Sequence, residues 1–430
     1  MKTHEDTAEN EDGKGGTAQW PPHHWLDKPD IRSIAENFWK PNYDKNDLAM
    51  YNRFLEILRL SKDGLNGEEI GRALHMNNVR AYLTGRKKSF LTHLRTELDK
   101  LGLPAPNSQF LPLHLKPRGT PAPDWIEIPK ELRGTEDIAT TLSQLQPNKG
   151  AFEAMSEFGY HSQEELITDR TNMFAFFLGS TIGDCSKPVK GQSRFPSMAI
   201  ALTLSEAKPN SLRFGQYTAL CAQASTGLMM HRIRDAETSP YRFTKSSCLR
   251  WLTEASPLWG WVFHDCLGLL DAETTTRDPV RMNWLLAAPT RFKVHLLQGV
   301  SESDGWVDPG MDRHCFVSSP NSQLFAAVLA SLGVVPRIDQ QPPVEIIRIP
   351  TEDAARLELF SPRIHSEYFE RLQVMSKATS FPPRKAIPSE VVKRIQDLAK
   401  EYTVLSDICF ELAKRHGVKV SSATVKKYTT

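Results

Sequence analysis

Apolar residues recur at two different spacings along this chain, and the change between them separates helical from strand-like segments. Residues 45–102 and 136–170 have apolar positions three or four residues apart, the spacing of an amphipathic helix. The region 165–375 adds short segments of strict alternation, such as Met198–Leu204, typical of half-buried strands. The pattern predicts an α+β core flanked by small all-α segments.

The segment 41–103 has the features of a helix-turn-helix unit. Asn66 is expected to cap a helix from Gly67 to Leu74, a turn follows, and a second short helix begins at Asn78. Arg80 would face a DNA groove, while the flank with Arg86, Lys87 and Lys88 would contact phosphates. A three-helix bundle with a solvated basic loop fits the same pattern.

Residues 1–40, which are polar and proline-rich, are interpreted as a disordered tail.

Prolines mark a boundary at residues 104–135. Each proline removes a backbone donor and biases the preceding residue away from the helix. The stretch is therefore expected to be a semi-rigid linker before a core at 136–375.

The core contains an order of elements that occurs twice. The first copy has a strand near Met198–Leu204, a helix at Ser211–Ala224, strands at His231–Arg234 and Tyr241–Lys245, and a helix at Ser246–Glu254. The second has a strand at Cys315–Ser318, a helix at Ser322–Leu332, strands at Val335–Asp339 and Val344–Ile349, and a helix near Ser366–Met375. We therefore expect two repeats, about 165–270 and 285–375, related by a pseudo-two-fold axis.

Each repeat begins with a helix that carries small residues four apart and ends in an acid. The first is Phe177–Cys185, with Gly179, Gly183 and Asp184; the second is Leu297–Gly305, with Gly299, Ser303 and Asp304. Small residues at this spacing allow two helix backbones to approach closely. Close packing would bring Asp184 and Asp304 together. Gly305 suits the left-handed residue that closes a helix.

Two facing carboxylates repel each other unless a cation lies between them. Hard oxygen ligands favour Mg²⁺, which is commonly held by one or two carboxylates plus phosphate oxygens of a substrate. Asp184 and Asp304 are thus candidate metal ligands and catalytic residues for phosphodiester hydrolysis. An anion at a helix C-terminus is opposed by the helix dipole, which favours a role as ligand over a role in helix stability.

Basic residues alternate with apolar ones on the predicted strands. In the first repeat they are Arg232, Arg234 and Arg242, and in the second Arg337 and Arg348. A two-stranded ribbon fits the major groove, and such side chains supply phosphate contacts. Lys245, between a predicted strand and a predicted helix, is the candidate cation for stabilising transition-state charge. Taken singly, each of these residues is better explained as part of a solvated sheet face.

The C-terminal segment 388–430, after a basic and proline-rich linker at 376–387, repeats the helix-turn-helix spacing. A helix begins after Pro388, Ser406 is expected to cap a second, and Gly417 turns the chain into a last helix with Lys426 and Lys427. That helix suits phosphate or groove contact. A helical tail packed on the core is the alternative.

Composition narrows the classes of function without selecting one. The chain has 53 basic and 51 acidic residues, so any nucleic-acid surface must come from local segregation of charge. The six cysteines are scattered singly, without a C-x-x-C pair, which argues against a zinc module or a disulfide scaffold. No signal-peptide pattern or membrane-spanning stretch is present. A cytoplasmic, nucleoid-associated protein without a membrane partner is expected.

The segment Leu297–Gly305 resembles the signature nonapeptide of the LAGLIDADG homing endonucleases, and Phe177–Cys185 is similar to a second copy. The resemblance covers about the middle half of the chain and matches the single-chain members, which carry two motifs. It implies tandem αββαββα repeats, double-stranded DNA as partner, a monomer, and Asp184 and Asp304 as metal-binding catalytic acids with Lys245 nearby. Two positions depart from the motif: Cys185 replaces the final glycine, and Ile182 replaces an acid at the sixth position.

Three functions follow from this resemblance. The first is a Mg²⁺-dependent, site-specific DNA endonuclease of homing type. The second is a non-cleaving transcription regulator built on the same core, favoured by the helix-turn-helix segments at both ends and disfavoured by the retained acids. The third is an RNA maturase.

Overall fold

The computed structural model describes residues 56, 60, 65–77, 79, 108–112, 125–129, 131–186, 199–206, 210–233, 248–269, 279–308, 313–317, 321–341, 344–380 and 387–429. The chain divides into two compact units, one of Met1–Lys116 with Pro121–Glu127 and one of Pro117–Thr120 with Ile128–Thr430. Helices occur together with small sheets, and the two four-stranded sheets are antiparallel. The α+β class predicted from the sequence is confirmed.

The described part of the first unit contains a capped helix and strands. Helix α1 spans Gly67–Ala73, and strand β1 (Ser108–Pro112) forms a two-stranded sheet with β2 (Trp125–Pro129), whose last two residues belong to the second unit. The helix begins after Asn66 because its side-chain oxygen accepts hydrogen bonds from the backbone N–H groups of Glu68 and Glu69. The Glu69 carboxylate accepts one from the Asn66 N–H in return, which completes a capping box. The predicted second helix lies outside the described residues apart from Val79, as do Arg80, Arg86, Lys87 and Lys88.

The second unit opens with helical segments and continues into a first set of helices and strands. The opening segments are α2 (Thr135–Ser143), α3 (Lys149–Ala154), a 3-10 turn (Met155–Phe158) and α4 (Gln163–Thr168). The first set consists of α5 (Arg170–Gly183), β3 (Cys185–Ser186), β4 (Ala201–Ser205), α6 (Ser211–Thr226), β5 (Met230–Ile233), β6 (Cys248–Thr253) and α7 (Pro257–Trp261). Its sheet has the order β3-β4-β6-β5.

A second set follows after a π-helical turn (Val262–Cys266) and a 3-10 turn (Asn283–Ala287). It consists of α8 (Thr290–Asp304), β7 (Gly305–Asp308), β8 (Arg313–Val317), α9 (Ser322–Ser331), β9 (Arg337–Gln341), β10 (Val344–Pro350), α10 (Thr351–Arg356) and α11 (Ser366–Lys377). Its sheet has the order β7-β8-β10-β9, the same arrangement as in the first set.

Helices α5 and α8 form the centre of the second unit. Every residue of α5 from Met173 to Ile182 is buried, and so is every residue of α8 from Leu296 to Ser303. A helix that is apolar around its whole circumference needs neighbours on several sides. Here α5 packs against both α8 and α6, and the aromatic rings of Phe174 and Phe177 meet Trp261 and Trp259 of α7.

The structure corrects two predictions about the core. The predicted helix at Ser246–Glu254 is instead strand β6, whose burial alternates and whose Trp251 pairs with Leu202 of β4. The predicted strand Tyr241–Lys245 lies outside the described residues. Gly305 is not left-handed: its φ is −98° and its ψ is 162°, so α8 runs directly into β7.

The C-terminal segment folds as three helices that pack on the second set. They are α12 (Ser389–Glu401), α13 (Leu405–His416) and α14 (Ser422–Thr429), while β11 (Thr379–Ser380) and β12 (Val418–Lys419) form a short parallel pair. Helix α13 begins at Leu405, after Val404, and not behind the predicted cap Ser406. Ile395, Leu412 and Val425 are fully buried at the centre of this group.

Candidate functional site at the ends of helices α5 and α8

Helices α5 and α8 touch through their backbones at the predicted small residues. A Cβ atom on Gly179 would lie 2.1 Å from the carbonyl oxygen of Leu296, and one on Gly299 would lie 2.2 Å from that of Phe176. One turn further along, a Cβ on Gly183 would lie 2.0 Å from Ser303 Oγ. These distances leave no room for a larger side chain, so the four small residues set how closely the two helices approach.

This contact carries both predicted acids to the same end of the helix pair. Asp184 directly follows α5, and Asp304 is the last residue of α8. Asp304 Oδ2 lies 3.3 Å from the position of a Cβ on Gly183, the residue before Asp184. Both aspartates are partly exposed and line one cavity of about 600 Å³. The structure therefore brings together the two residues that the sequence motifs single out.

The cavity offers oxygen ligands on several sides. Besides the aspartates, it is lined by Glu302, Glu367, His365, Tyr368, Phe214, Trp306 and parts of β4. Within the described part of the chain, no group of three or more His, Cys, Asp or Glu side chains is arranged to hold a metal ion. Two carboxylates without a closed protein cage fit Mg²⁺, which keeps several water ligands and takes others from a phosphate.

The replacement of the motif glycine by Cys185 is accommodated in the structure. Cys185 starts β3, is 2% exposed, and pairs with Leu202 of β4. Burial, with the nearby negative charge of Asp184, raises the pKa of the Cys185 thiol, which therefore stays protonated. In the second motif the chain also leaves the helix in an extended conformation. There a glycine is needed for lack of space, because a Cβ on Gly305 would lie 2.3 Å from the Ser301 carbonyl oxygen.

A buried acid that the sequence analysis did not single out lies beside the aspartates. Glu302 occupies the sixth motif position of α8 and is 4% exposed. Its Oε1 accepts a 2.6 Å hydrogen bond from the Ser361 N–H, and its Oε2 contacts His365 Nδ1. Burial raises the pKa of the Glu302 carboxyl, although the hydrogen bonds from His365 and Ser361 oppose that shift. The sequence signal that could have found it is the motif itself, which has an acid at its sixth position.

The predicted basic residues lie on the sheets and on α14, away from this cavity. Arg232 is exposed on β5, and Lys426 and Lys427 are exposed on α14. Arg337 and Arg348 both form ion pairs with Asp339, and the Arg348 side chain is only 9% exposed. None of these five lines the cavity. Arg234, Arg242 and Lys245 lie outside the described residues.

A larger cavity of about 980 Å³ lies at the opposite ends of the same two helices. It is lined by Tyr160, Asp169, Arg291 and His295 among others, and Asp169 there accepts a hydrogen bond from Tyr160 and pairs with Arg291. Size alone does not identify a functional site. The smaller cavity is the better candidate because the two aspartates meet there.

No helix among the described residues is long and apolar enough to cross a membrane.

No protein-family model matches the sequence, and no curated protein matches it. Similar solved structures include mesophilic variants of the homing endonuclease I-DmoI, with 14% identity over 46% of this chain and 97% of that chain and a TM-score of 0.31. The homing endonuclease I-WcaI bound to its DNA recognition sequence has 14% identity over 56% of this chain and 98% of that chain, with a TM-score of 0.30. Full-length DUF199/WhiA from Thermatoga maritima has 13% identity over 62% of this chain and 93% of that chain, with a TM-score of 0.31. Scores this low assign neither a family nor an activity, so the function has to be argued from the site.

Proposed function

We propose that this protein is a site-specific endonuclease of homing type that cleaves double-stranded DNA. The observation that carries the proposal is the meeting of Asp184 and Asp304 in one cavity, at the ends of two helices packed backbone to backbone. Neither acid stabilises its helix there, because the dipole disfavours an anion at a helix C-terminus. The resemblance of both helices to the LAGLIDADG motif points to the same chemistry.

Two repeats would place this site at the centre of a pseudo-two-fold core. The two sheets share one strand order, and each follows one of the two central helices. We infer a core at 136–375 with the two-fold axis between α5 and α8, acting as a monomer on a long and loosely palindromic site. The flanking segments 41–103 and 388–430 would be helix-turn-helix modules, joined to the core by the linkers 104–135 and 376–387.

The metal ligands in this proposal are Asp184 and Asp304, and Mg²⁺ is the proposed ion. A divalent ion bound there would neutralise negative charge that develops on the phosphate oxygens. The aspartates would hold the ion at the cavity, and the packed helices would fix the separation of their carboxylates. Lys245 remains the proposed cation near the reacting phosphate.

The exposed strands would grip the DNA backbone on either side of the cut. Arg232 on β5 and Arg337 on β9 are the proposed contacts that lie among the described residues, and Arg234 and Arg242 are proposed contacts outside them. Arg348 is nearly buried against Asp339 and would act by holding β9 and β10 together near the DNA.

A non-cleaving DNA-binding regulator is the second candidate. It is favoured by the C-terminal group of three helices, which presents Lys426 and Lys427 to solvent. A nuclease does not need such a module. A regulator has no use for two converging carboxylates, which is why the nuclease is preferred.

Selection from a randomised duplex library separates the two candidates. Duplexes bound in Ca²⁺ are recovered and then incubated with Mg²⁺; the nuclease cuts them, while a regulator leaves them intact. Asp304→Asn and Asp184→Asn should each lower the cleavage rate at least about 100-fold while binding in Ca²⁺ is kept. The matched control is Asp397→Asn, an exposed acid on α12 outside the cavity, which should cut normally. Undiminished cleavage by Asp304→Asn would refute the assignment.

A further inference from the structure

The cavity with the two aspartates also contains an oriented imidazole. His365, which directly precedes α11, lines the cavity, and its Nδ1 contacts the buried Glu302 carboxylate. Glu302 is on α8, two residues before Asp304. The pair therefore ties the segment before α11 to the end of the helix that carries the proposed metal ligand.

Three aromatic rings hold the imidazole plane. Tyr368 stacks on it with ring centroids 5.5 Å apart and an interplanar angle of 21°. Phe360 meets it edge-on at 5.8 Å, and Phe214 lies 6.5 Å away. The ring is thus fixed both by packing and by a hydrogen bond, which is the arrangement that pre-organises a side chain for chemistry.

The partners of Glu302 determine which nitrogen of His365 can act. The Ser361 N–H donates to one carboxylate oxygen, so that oxygen is an acceptor, and an ionised carboxylate is an acceptor at both oxygens. While Glu302 is ionised, the form that its hydrogen bonds from Ser361 and His365 favour, His365 Nδ1 carries the proton that it donates to Oε2. In the neutral ring this leaves Nε2 without a proton and able to accept one.

We propose that His365 is a catalytic residue that takes a proton from the attacking water, and that Glu302 is the positioning residue that sets its tautomer. The inference rests on the proposed nuclease function. The water oxygen forms a bond to phosphorus while one O–H proton passes to Nε2. The bond from phosphorus to the leaving deoxyribose oxygen breaks, and that oxygen takes a proton from solvent. The imidazolium then returns its proton to solvent, so that one water is consumed for each bond cut.

Among the residues that the structure describes, this Glu–His pair occurs at the end of the second motif helix and has no counterpart at the end of the first. The first motif has Ile182 where the second has Glu302, and Ile182 is 7% exposed with an apolar side chain that cannot orient an imidazole. One strand of the DNA is therefore served by His365 and the other is not. Loss of His365 should slow the cleavage of a single strand.

A purely structural role for the pair makes different predictions. If Glu302 and His365 only anchor residues 361–365 to α8, substitutions would lower stability and Ca²⁺-dependent binding together and affect both strands alike. Glu302→Gln separates the two roles. The amide oxygen still accepts from the Ser361 N–H, but the amide N–H₂ donates to Nδ1 and so places the imidazole proton on Nε2.

The cleavage test uses a supercoiled plasmid that carries one duplex recovered by the selection in Ca²⁺. His365→Ala and Glu302→Gln are expected to slow the cut in one strand about 100-fold, the usual size of a proton-transfer contribution, so that nicked circles accumulate. Ca²⁺-dependent binding and the thermal midpoint of Glu302→Gln should match the wild type. Wild-type rates on both strands, or slowing of both strands with loss of binding, would overturn the proposal.

Nitrogen-15 NMR of labelled histidine tests the tautomer without DNA. Wild-type protein should show His365 protonated at Nδ1, Glu302→Gln should show it protonated at Nε2, and His365→Ala assigns the signal. A proton on Nε2 in the wild type would refute the orientation even if the enzyme cuts DNA. If the orientation is as expected but no duplex is ever cut by the wild type, the nuclease function fails, and with it the role of His365.

Discussion

Gly179 lies where a methyl group would not fit. Its lack of a side chain is therefore needed for the close contact of α5 and α8 on which the proposed site depends. The Cβ of an alanine there would lie 2.1 Å from the Leu296 carbonyl oxygen and 3.0 Å from the Val300 nitrogen, both of which are backbone atoms that cannot rotate away. The two helices would have to separate, and with them the aspartates at their ends. We expect Gly179→Ala to lower the free energy of unfolding by about 3 kcal/mol in urea titrations, the upper range for overpacked cores.

Gly134 provides the matched control for this substitution. Its backbone is extended, and a Cβ there would meet no atom within 4 Å. Gly134→Ala should change the free energy of unfolding by less than about 1 kcal/mol. If both variants unfold at the same urea concentration, the close backbone contact of α5 and α8 is wrong.

At the residue scale, the sequence predicts which positions need a small side chain better than it predicts contacts between residues far apart in the chain. The four-residue spacing of Gly179 and Gly183 predicts a close helix contact because helix geometry repeats at that interval. The conformation of Gly305 was predicted wrongly, since a glycine that avoids a clash and one that needs a positive φ look alike in a sequence. His365 is far from Glu302 along the chain, so no spacing rule could pair them.

At the scale of elements, the secondary-structure prediction was wrong where the apolar residues of one segment fit both the helical and the strand spacing. In Cys248–Thr253 the apolar residues Leu249, Trp251 and Leu252 satisfy a helical spacing as well as an alternating one. The strand forms because its inward residues Leu249 and Trp251 face the core and its backbone pairs with β4 and β5 on both sides. That choice is made by tertiary contacts, which propensity does not contain.

The C-terminal helices are fixed to the core through a nearly buried cation. The Lys419 side chain is 4% exposed, and its Nζ lies 2.8 Å from Glu352 Oε1 of α10. Breaking a buried pair by removing one partner costs about 3 to 5 kcal/mol, and Glu352 is half exposed. We therefore expect Glu352→Gln to lower the free energy of unfolding by about 2 kcal/mol at neutral pH, measured by urea titration.

The same pair predicts a pH dependence with a definite sign. Burial alone would raise the pKa of Glu352, but the hydrogen bond and charge of Lys419 outweigh it and lower that pKa. An acid with a lowered pKa in the folded state stabilises above its unfolded pKa, and this stabilisation is lost as the pH falls. The difference between wild type and Glu352→Gln should hold at pH 7 and shrink below about pH 4. Glu153→Gln, in an exposed pair with Lys149, should show no such difference, and a gap that widens in acid would contradict the assignment.

At the scale of the whole molecule, the near-balance of charge leaves DNA binding to local groups of residues. With 53 basic and 51 acidic residues, net charge supplies almost no attraction. The basic residues predicted on the sheets are partly neutralised, since Arg337 and Arg348 share Asp339. The exposed Lys426 and Lys427 on α14 are therefore the clearest test of whether a terminal module contacts DNA.

Substitution of Lys426 and Lys427 should weaken DNA binding only through the loss of electrostatic attraction to phosphates. Neither side chain is part of the module's core, which is formed by residues such as Ile395 and Val425. If both contact phosphates, Lys426→Ala with Lys427→Ala should reduce the slope of log affinity against log salt concentration by about 2, at about 0.9 per contact. Binding is measured in Ca²⁺ with a selected duplex that keeps its flanking DNA, across a series of salt concentrations.

A second double variant removes the same charge from another helix of the module. Lys393→Ala with Lys400→Ala alters two exposed lysines of α12, and should leave the salt slope within measurement error of the wild type. Equal loss of slope in both double variants would show that only the overall charge of the module matters. An unchanged slope in the α14 variant would mean that this module does not contact DNA, and that its three helices serve to cover the second half of the core.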